Sequence, residues 1–361
     1  MKKTVGVCGF GSSGSSAVVD LLQEFNETQI FYPEFKIAYA RYGLEYLERC
    51  FLIGIGNKSA IEIFKKTIKE KNLFISKHFN ASKLNIDEAL ENFSKELVSS
   101  SSILDSIPFT AVECAEKITR KFFLDAHTKL NPHSPKFEGA AKKLISDILT
   151  TIGIDYEDNE RNVLVLNQSV QAQKNIDNSF RFFENPVAIF VDRDPRDIYL
   201  FAKNFLHPRG MCFIPCDNVD KFIKYFINLR KSVKDLRKRN DVLFIKFEEL
   251  VYDCDNAAKK ISDFINISQR SHKGEFFKPA CSRNNTQLSK KYAEYDADIK
   301  KIETELPEYI FPFENYPDIK SEGEMFYGGQ SEYLQGNWSE VSTRSMTAKF
   351  ESIMNKNKRR L

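Results

Sequence analysis

Gly9 and Gly14 stand with four residues between them, and Ser15 and Ser16 follow directly. That spacing is the frame of a phosphate-binding loop, G-x-x-x-x-G-K-[ST], with serine where the lysine belongs. Glycines let such a loop turn tightly, so that its N–H groups converge on an anion. The helix that follows adds the positive end of its dipole. In nucleotide hydrolases the lysine neutralises the β- and γ-phosphates. A loop offering only N–H and hydroxyl donors suits an anion with less charge, and suits a Mg²⁺-bound nucleoside triphosphate poorly. The second constellation is "RDPRD", Arg193 to Asp197. Asp194 reads as a helix cap, Pro195 as the first helical residue and Asp197 as the acid two positions on. Arg193 is left over by that account. An arginine at the carboxyl end of a buried strand, beside a helix start, is placed to grip a phosphate with two N–H groups.

Buried strands and amphipathic helices must position these groups. Four short apolar, β-branched runs stand out: Thr4–Val7, Val163–Leu166, Val187–Val191 and Val242–Ile245. Each leads into polar or Gly-rich residues and then a helical pattern. Val18, Leu21, Leu22 and Phe25 follow the first loop at helical spacing. The expected fold class is α/β: a P-loop-type parallel sheet flanked by helices, with ligands at the carboxyl edge. Residues 43–151 read as a Lys/Glu-rich helical insertion, as in "SAIEIFKKTIKE" and "NIDEALENFSKELV". Residues 217–239 are again helical and basic. The expected organisation is one domain over residues 1–340 and a polar basic tail over 341–361. That tail reads as solvated, with contact to an acidic partner or peripheral contact to a membrane surface as the alternative.

Composition narrows the function. Of 361 residues, 42% are hydrophobic, enough for a sizeable core, and the net charge is only +3. A nucleic-acid binder would carry a strong basic excess, so no nucleic-acid partner is expected and any anion site is local. The seven cysteines are scattered, odd in number and without a close CxxC pair. That argues against a disulfide framework or zinc site and suits a reducing, cytoplasmic setting. The apolar run after "MKK" is too short for a signal peptide, and none reaches the ~18 residues of a membrane span.

Together the two motifs resemble the sulfotransferases that use 3′-phosphoadenosine 5′-phosphosulfate (PAPS). "SSGSS" (12–16) is similar to that family's S-G-T-T segment, and "RDPRD" matches its R-[DN]-P-[RK]-D at every position. "VLFIKFEEL" (242–250) resembles its R-Y-E-D-L segment through Lys246, Glu248 and Leu250. The resemblance implies that Gly11, Ser12, Ser13, Gly14, Ser15 and Ser16 hold the 5′ phosphosulfate and that Arg193 grips the 3′ phosphate. The late segment "CSRNNTQLSKKY" implies a 3′-phosphate contact from Ser282 or Arg283. Two positions depart from the family pattern: Ser12 stands where a Lys or Arg is frequent, and Phe201 where a Ser is usual.

The implied reaction moves a sulfuryl group from PAPS to a hydroxyl and leaves adenosine 3′,5′-bisphosphate (PAP), with no metal required. Its base is His in some relatives and Glu in others. "FYPEFK" (31–36) is similar to the E-F-[RK] segment of bacterial, carbohydrate-type members, which makes Glu34 the candidate base and Lys36 a cation or substrate contact. Phe31, Tyr32, Pro33 and Phe35 suggest a partly buried setting for Glu34, one that raises its pKa. The five histidines are isolated, with His207 nearest in sequence to the Arg193 helix. Asn167 and Gln168, after the second apolar run, either bond a ligand or cap a helix. The Gly-rich "YGGQSEYLQGNW" (327–338) reads as a terminal turn, with a sugar-stacking loop as the alternative. The implied acceptor is a small molecule or glycan, with a carbohydrate or glycolipid hydroxyl in first place. The rival readings are a small-molecule or nucleotide kinase with a degenerate loop, and a non-catalytic nucleotide-binding protein of the same fold.

Overall fold

In a computed structural model, residues 2–53, 57–71, 86–97, 111, 114, 134–151, 153–172, 175–268, 270–317, 320 and 322–330 are described. His78, His127, His133, the end of "YGGQSEYLQGNW" and the basic tail lie outside them. In chain order the elements begin β1 (Lys3–Gly9), α1 (Ser15–Leu22), β2 (Thr28–Phe31), α2 (Leu44–Ile53), α3 (Asn57–Lys71), α4 (Ile86–Leu97) and α5 (Pro135–Thr151). They continue with β3 (Val163–Asn167), α6 (Ile176–Phe180), β4 (Pro186–Asp192), α7 (Pro195–Phe201) and α8 (Val219–Lys231). β5 (Val242–Lys246), α9 (Phe247–Tyr252), α10 (Cys254–Ile265), α11 (Pro279–Ser282) and α12 (Asp296–Glu305) follow. The five strands form a parallel sheet of order β2-β3-β1-β4-β5, flanked by helices.

All four expected runs are strands, and β2 is one that the sequence reading missed. "TQIF" is short and half polar, so it shows no apolar run. Gln29 explains why a polar residue sits there. Its side chain is buried, donates to Asp155 O (2.7 Å) and Arg161 O (2.9 Å), and accepts from Asp155 N (2.8 Å). β2 pairs with β3 from Thr28↔Val163 to Phe31↔Leu166. β4 pairs with β5 from Ala188↔Val242 to Asp192↔Lys246. The second register brings the residues after β4 level with those after β5, which matters below.

The chain divides into two compact units. The first comprises Met1–Gly6 and Thr28–Val187. Its core is helical: α5 buries Phe137, Ala140, Ala141, Leu144, Ile145, Ile148 and Leu149, an i, i+3, i+4 stripe, and packs on Ala89, Leu90 and Phe93 of α4. Phe93 and Phe137 meet edge to face at 6.0 Å. A buried carboxylate, Glu48, is balanced by Arg181, whose Nη1 donates to it at 2.6 Å.

The second unit comprises Val7–Glu27 and Ala188–Leu361. α1 buries its expected stripe, Val18, Leu21 and Leu22, with Phe25 just beyond the helix. Two acids one turn apart are also buried here, Asp20 on α1 and Glu24 just past its end. Asp20 accepts from Gln330 N (2.6 Å); Glu24 accepts from Phe276 N (3.0 Å) and Phe277 N (2.7 Å) and pairs with Arg270. These acids moor the C-terminal segments to α1. Among the described residues, no helix is long and apolar enough to cross a membrane.

Candidate functional site

The loop between β1 and α1 has three residues in the left-handed region: Gly11 (φ +84°), Ser12 (φ +51°) and Gly14 (φ +91°). Gly14 is demanded twice over. Its dihedral strains any L side chain, and a Cβ there would lie 2.2 Å from the Phe247 ring. Ser13 closes the turn on itself, its buried hydroxyl accepting from Phe10 N at 3.0 Å. α1 begins after Gly14 with no side-chain cap and no acid in its first turn, so neither of these offsets its positive end. Ser15 and Ser16 are half-buried at that end.

Arg193 holds this loop. Its Nη1 donates to Ser12 O at 2.9 Å, and its Nη2 donates to Asn285 O. The guanidinium lies between two rings, Phe201 at 5.1 Å and Phe247 at 5.2 Å from their centroids. Phe201, where the family usually has serine, is therefore a packing surface for the arginine. The side chain is 2% exposed, and burial lowers its pKa against the opposing pull of Asp197, Glu248 and Asp194. Among the buried polar atoms here that have no hydrogen-bond partner are Ser12 Oγ and Arg193 Nε, with Glu248 Oε2 nearby. The first two are positioned by the Arg193–Ser12 link, and both are of the kind that binds an anion.

The acids after β4 and β5 brace the arginine. The Asp192↔Lys246 register sets Asp194 beside Glu248, whose Oε1 accepts from Asp194 N at 2.8 Å. Asp194 caps α7 as expected, accepting from Arg196 N at 2.8 Å, and also accepts from Phe311 N at 2.8 Å. Asp197 does not serve its own helix. It accepts from Gln287 N (2.9 Å) and Leu288 N (2.7 Å), tying the turn that carries Asn285. Burial and the Asp194 carboxylate push Asp197 up to about 6 and Glu248 up to about 8. Arg196 is not solvated: it bonds Asp194 at 2.7 Å and Glu303 at 2.8 Å.

Sequence reasoning missed Arg230 and its partner Asp192. Arg230 Nε donates to Asp192 Oδ1 at 3.1 Å, and the same oxygen accepts from Arg193 N at 2.8 Å. Its guanidinium lies over Phe226 (3.2 Å) and Phe10 (4.6 Å), so it fixes the loop's first residue as well. A signal existed. Arg230 continues the buried stripe of Phe222, Ile223 and Phe226 on α8, where a solvated basic residue has no place.

The late segment contributes differently from the expectation. Ser282 is 1% exposed and its hydroxyl accepts from Gln330 Nε2 at 2.8 Å. Arg283 opens the short turn Arg283–Asn285, donates to Thr286 O at 3.0 Å and lies 5.6 Å from the Tyr252 ring centroid. It is Asn285, through its carbonyl, that reaches Arg193.

Glu34 and Lys36 belong to the first unit, where they pair with each other. The expected burial of Glu34 is not found: its side chain is 52% exposed. Phe31 and Phe35 turn inward and leave the residue between them facing out. Asn167 neither caps a helix nor hangs free. Its Nδ2 donates to Tyr32 O (3.0 Å) and its backbone carbonyl accepts from Phe35 N (2.7 Å), stapling the backbone on both sides of Pro33–Glu34, while its buried Oδ1 has no partner. Tyr39 Oη donates to Gln168 O at 2.8 Å. His207 Nε2 lies 2.8 Å from Ile214 O, a loop contact.

No family model matches the chain, and no curated protein matches it. Among solved structures it is similar to the sulfotransferase domain from the curacin biosynthetic pathway, at 14% identity over 77% of this chain and 78% of that one, with a TM-score of 0.37. It is also similar to the sulfotransferase domain of the Synechococcus PCC 7002 olefin synthase, at 13% identity over 97% and 96%, TM-score 0.38. A third likeness is to retinol dehydratase in complex with androsterone and the inactive cofactor PAP, at 11% identity over 97% and 80%, TM-score 0.30.

Proposed function

We propose that the chain is a PAPS-dependent sulfotransferase. One observation carries the reading. The motif arginine, Arg193, joins the phosphate-type loop at Ser12 to the late turn at Asn285, so three segments that the resemblance assigns to one nucleotide meet at one guanidinium. The residues fit the ligand: unpartnered Ser12 Oγ and Arg193 Nε, an uncapped helix start and serine rather than lysine at position 15. Ser12–Ser16 would hold the 5′ phosphosulfate, and Arg193, with Arg283 or Ser282, the 3′ phosphate. PAPS supplies the sulfuryl group on a good phosphate leaving group. The protein aligns it, offers N–H donors to the charge developing on that phosphate, and takes the acceptor's proton. We assign the proton to Glu34, with Lys36 as its cation, on the resemblance of their segment. A carbohydrate or glycolipid hydroxyl is our proposed acceptor, and the scattered thiols lead us to place the activity in the cytoplasm.

The test is calorimetric titration with PAP, against AMP and against ATP with Mg²⁺, repeated on Arg193→Ala and Arg193→Lys. Binding of PAP, absent for AMP and lost in both variants, supports the reading. Lysine cannot reproduce the two-armed link, so it should not rescue. Binding of ATP with Mg²⁺ alone would replace the sulfotransferase with a kinase. PAP binding with no transfer to any acceptor, and no effect of Glu34→Ala, would leave a nucleotide-binding protein.

A further inference from the structure

The loop from His207 to Asp217 is unused by the chemistry above. It leaves a π-helical turn, Ala202–Leu206, a form that often marks functional positions. The loop is firmly built. Gly210 N donates to His207 O (2.9 Å), Met211 N donates to Leu206 O (3.0 Å), and His207 holds Ile214 O. Met211, Ile214 and Cys216 are buried as its anchors. Between them Phe213 is turned out, 46% exposed, one of three large apolar side chains so exposed among the described residues.

Its position is specific. A Cβ built on Gly11 would meet the Phe213 ring at 3.5 Å and Tyr225 Oη at 3.4 Å. Tyr225 Oη lies 3.5 Å from Phe10 O, and the Tyr327 ring stands 6.4 Å from that of Phe213. Phe213 and Tyr225 therefore border one edge of the phosphate-type loop, with Tyr327 beside Phe213, all within the second unit. Tyr225 and Tyr327 are partly buried against the core, and only Phe213 offers a largely free surface. A phenyl ring has no polar handle, so it recognises an apolar face.

We propose that Phe213 is the acceptor platform: its exposed ring stacks on the apolar face of a six-membered ring that carries the accepting hydroxyl. An aryl ring and the C–H face of a pyranose share that chemistry. Phe213 positions the acceptor and touches no transferred atom. The identity of the reaction rests on the sulfotransferase reading, whereas ring binding at Phe213 can be measured without it.

The experiment is a saturation-transfer NMR titration of the full chain with 2-naphthol, methyl β-glucopyranoside and acyclic 1,6-hexanediol, with and without PAP. Wild type is compared with Phe213→Ala and with Phe213→Leu, which keeps apolar bulk without a ring. At least one ring probe should bind, and its Kd should rise about tenfold in both variants, the order an aromatic contact carries. Hexanediol should not respond. Naphthol alone would make the acceptor an aryl alcohol, and glucoside alone a sugar. With labelled PAPS the loss should appear in KM, with kcat retained. Equal ring binding in wild type and both variants, or no ring binding in wild type, overturns the platform. Failure of PAP to bind while Phe213-dependent ring binding persists would remove the sulfotransferase reading and leave the platform standing.

Discussion

Arg193 and Glu34 carry opposite halves of the proposed chemistry, and the fold treats them oppositely. Arg193 is 2% exposed, sandwiched by rings and bonded to two carbonyls, with three acids close by. Glu34 has a 52% exposed side chain and one ionic partner, Lys36. Only its backbone is held, by the Asn167 staple. In the second unit, the side chain proposed to grip an anion also holds the fold together. In the first, the carboxylate proposed as the base hangs on a fixed backbone and pairs only with the neighbouring Lys36. Substitutions should therefore separate the two regions: one set lowers binding and stability together, the other lowers rate alone.

The largest expected effect is on rate. Glu34→Gln should lower kcat about 10²–10⁴-fold, the usual worth of a general base. Because exposed ion pairs contribute little, its unfolding free energy should move by about 0.5 kcal/mol or less. Urea denaturation beside turnover measures both, and a large stability loss would erase the contrast. Arg193→Ala comes next. It removes the two-armed link between Ser12 O and Asn285 O and the buried positive charge facing Asp197 and Glu248, and breaking such a buried charge network costs roughly 3–5 kcal/mol. PAP binding should vanish with it. An Arg193 variant of wild-type stability without PAP binding would mean that the arginine serves the ligand only.

One substitution made in both units sharpens the comparison. Gly14→Ala places a methyl against Phe247 at a left-handed dihedral, and strained backbone of this kind costs roughly 1–3 kcal/mol. Gly139→Ala, in the second turn of α5, meets nothing within 4 Å. It should stabilise by roughly 0.5–1 kcal/mol, because alanine loses less backbone freedom than glycine in a helix. Opposite signs from the same change, read by thermal denaturation, would confirm that the loop glycine is required by its surroundings.

The sequence disclosed those features that repeat or have a fixed frame. The apolar runs announced four strands, and the stripe on α1 announced its buried face. Glycine spacing announced the loop, and "DP" the start of α7. It was silent where a polar residue performs a buried task. β2 was hidden because Gln29 bonds a loop, and Arg230 because a basic stretch reads as solvent-facing. The role of Asp197 was misread because its partners, Gln287 and Leu288, are ninety residues away in the chain. For Glu34 the aromatic neighbours were seen correctly, but Phe31 and Phe35 bury their rings while the carboxylate faces out. Local pattern gives the elements; long-range hydrogen bonds decide what the charged residues do.

The smallest expected effect concerns Glu248, and it tests how the buried charges are balanced. Glu248 is 0% exposed; Oε1 accepts from Asp194 N and Oε2 has no partner. Burial, reinforced by Asp194, pushes its pKa up to about 8 from an ordinary 4.5. The native chain thus keeps a proton that the unfolded chain releases above pH 4.5, so this group makes stability fall as pH rises from about 4.5 to 8 and then level. Asp192 has the opposite sign. It is buried, but Arg230 and Lys246 hold its pKa low, so its contribution is lost only in acid. Asp197, pushed up to about 6, adds a fall that ends near that pH. Glu248→Gln keeps an acceptor for Asp194 N and cannot ionise. Its stability should match wild type near pH 5, exceed it at pH 8, and stay nearly flat between 6 and 8 where wild type declines. PAP binding at pH 7 should hardly change, since an uncharged side chain replaces one that is largely protonated. Above pH 8, wild-type binding should weaken while the variant's persists, because ionised Glu248 would compete for the Arg193 charge. Parallel pH curves for the two proteins would show that Glu248 is already ionised in the native state, with Arg193 neutralised by it and less available to an anion.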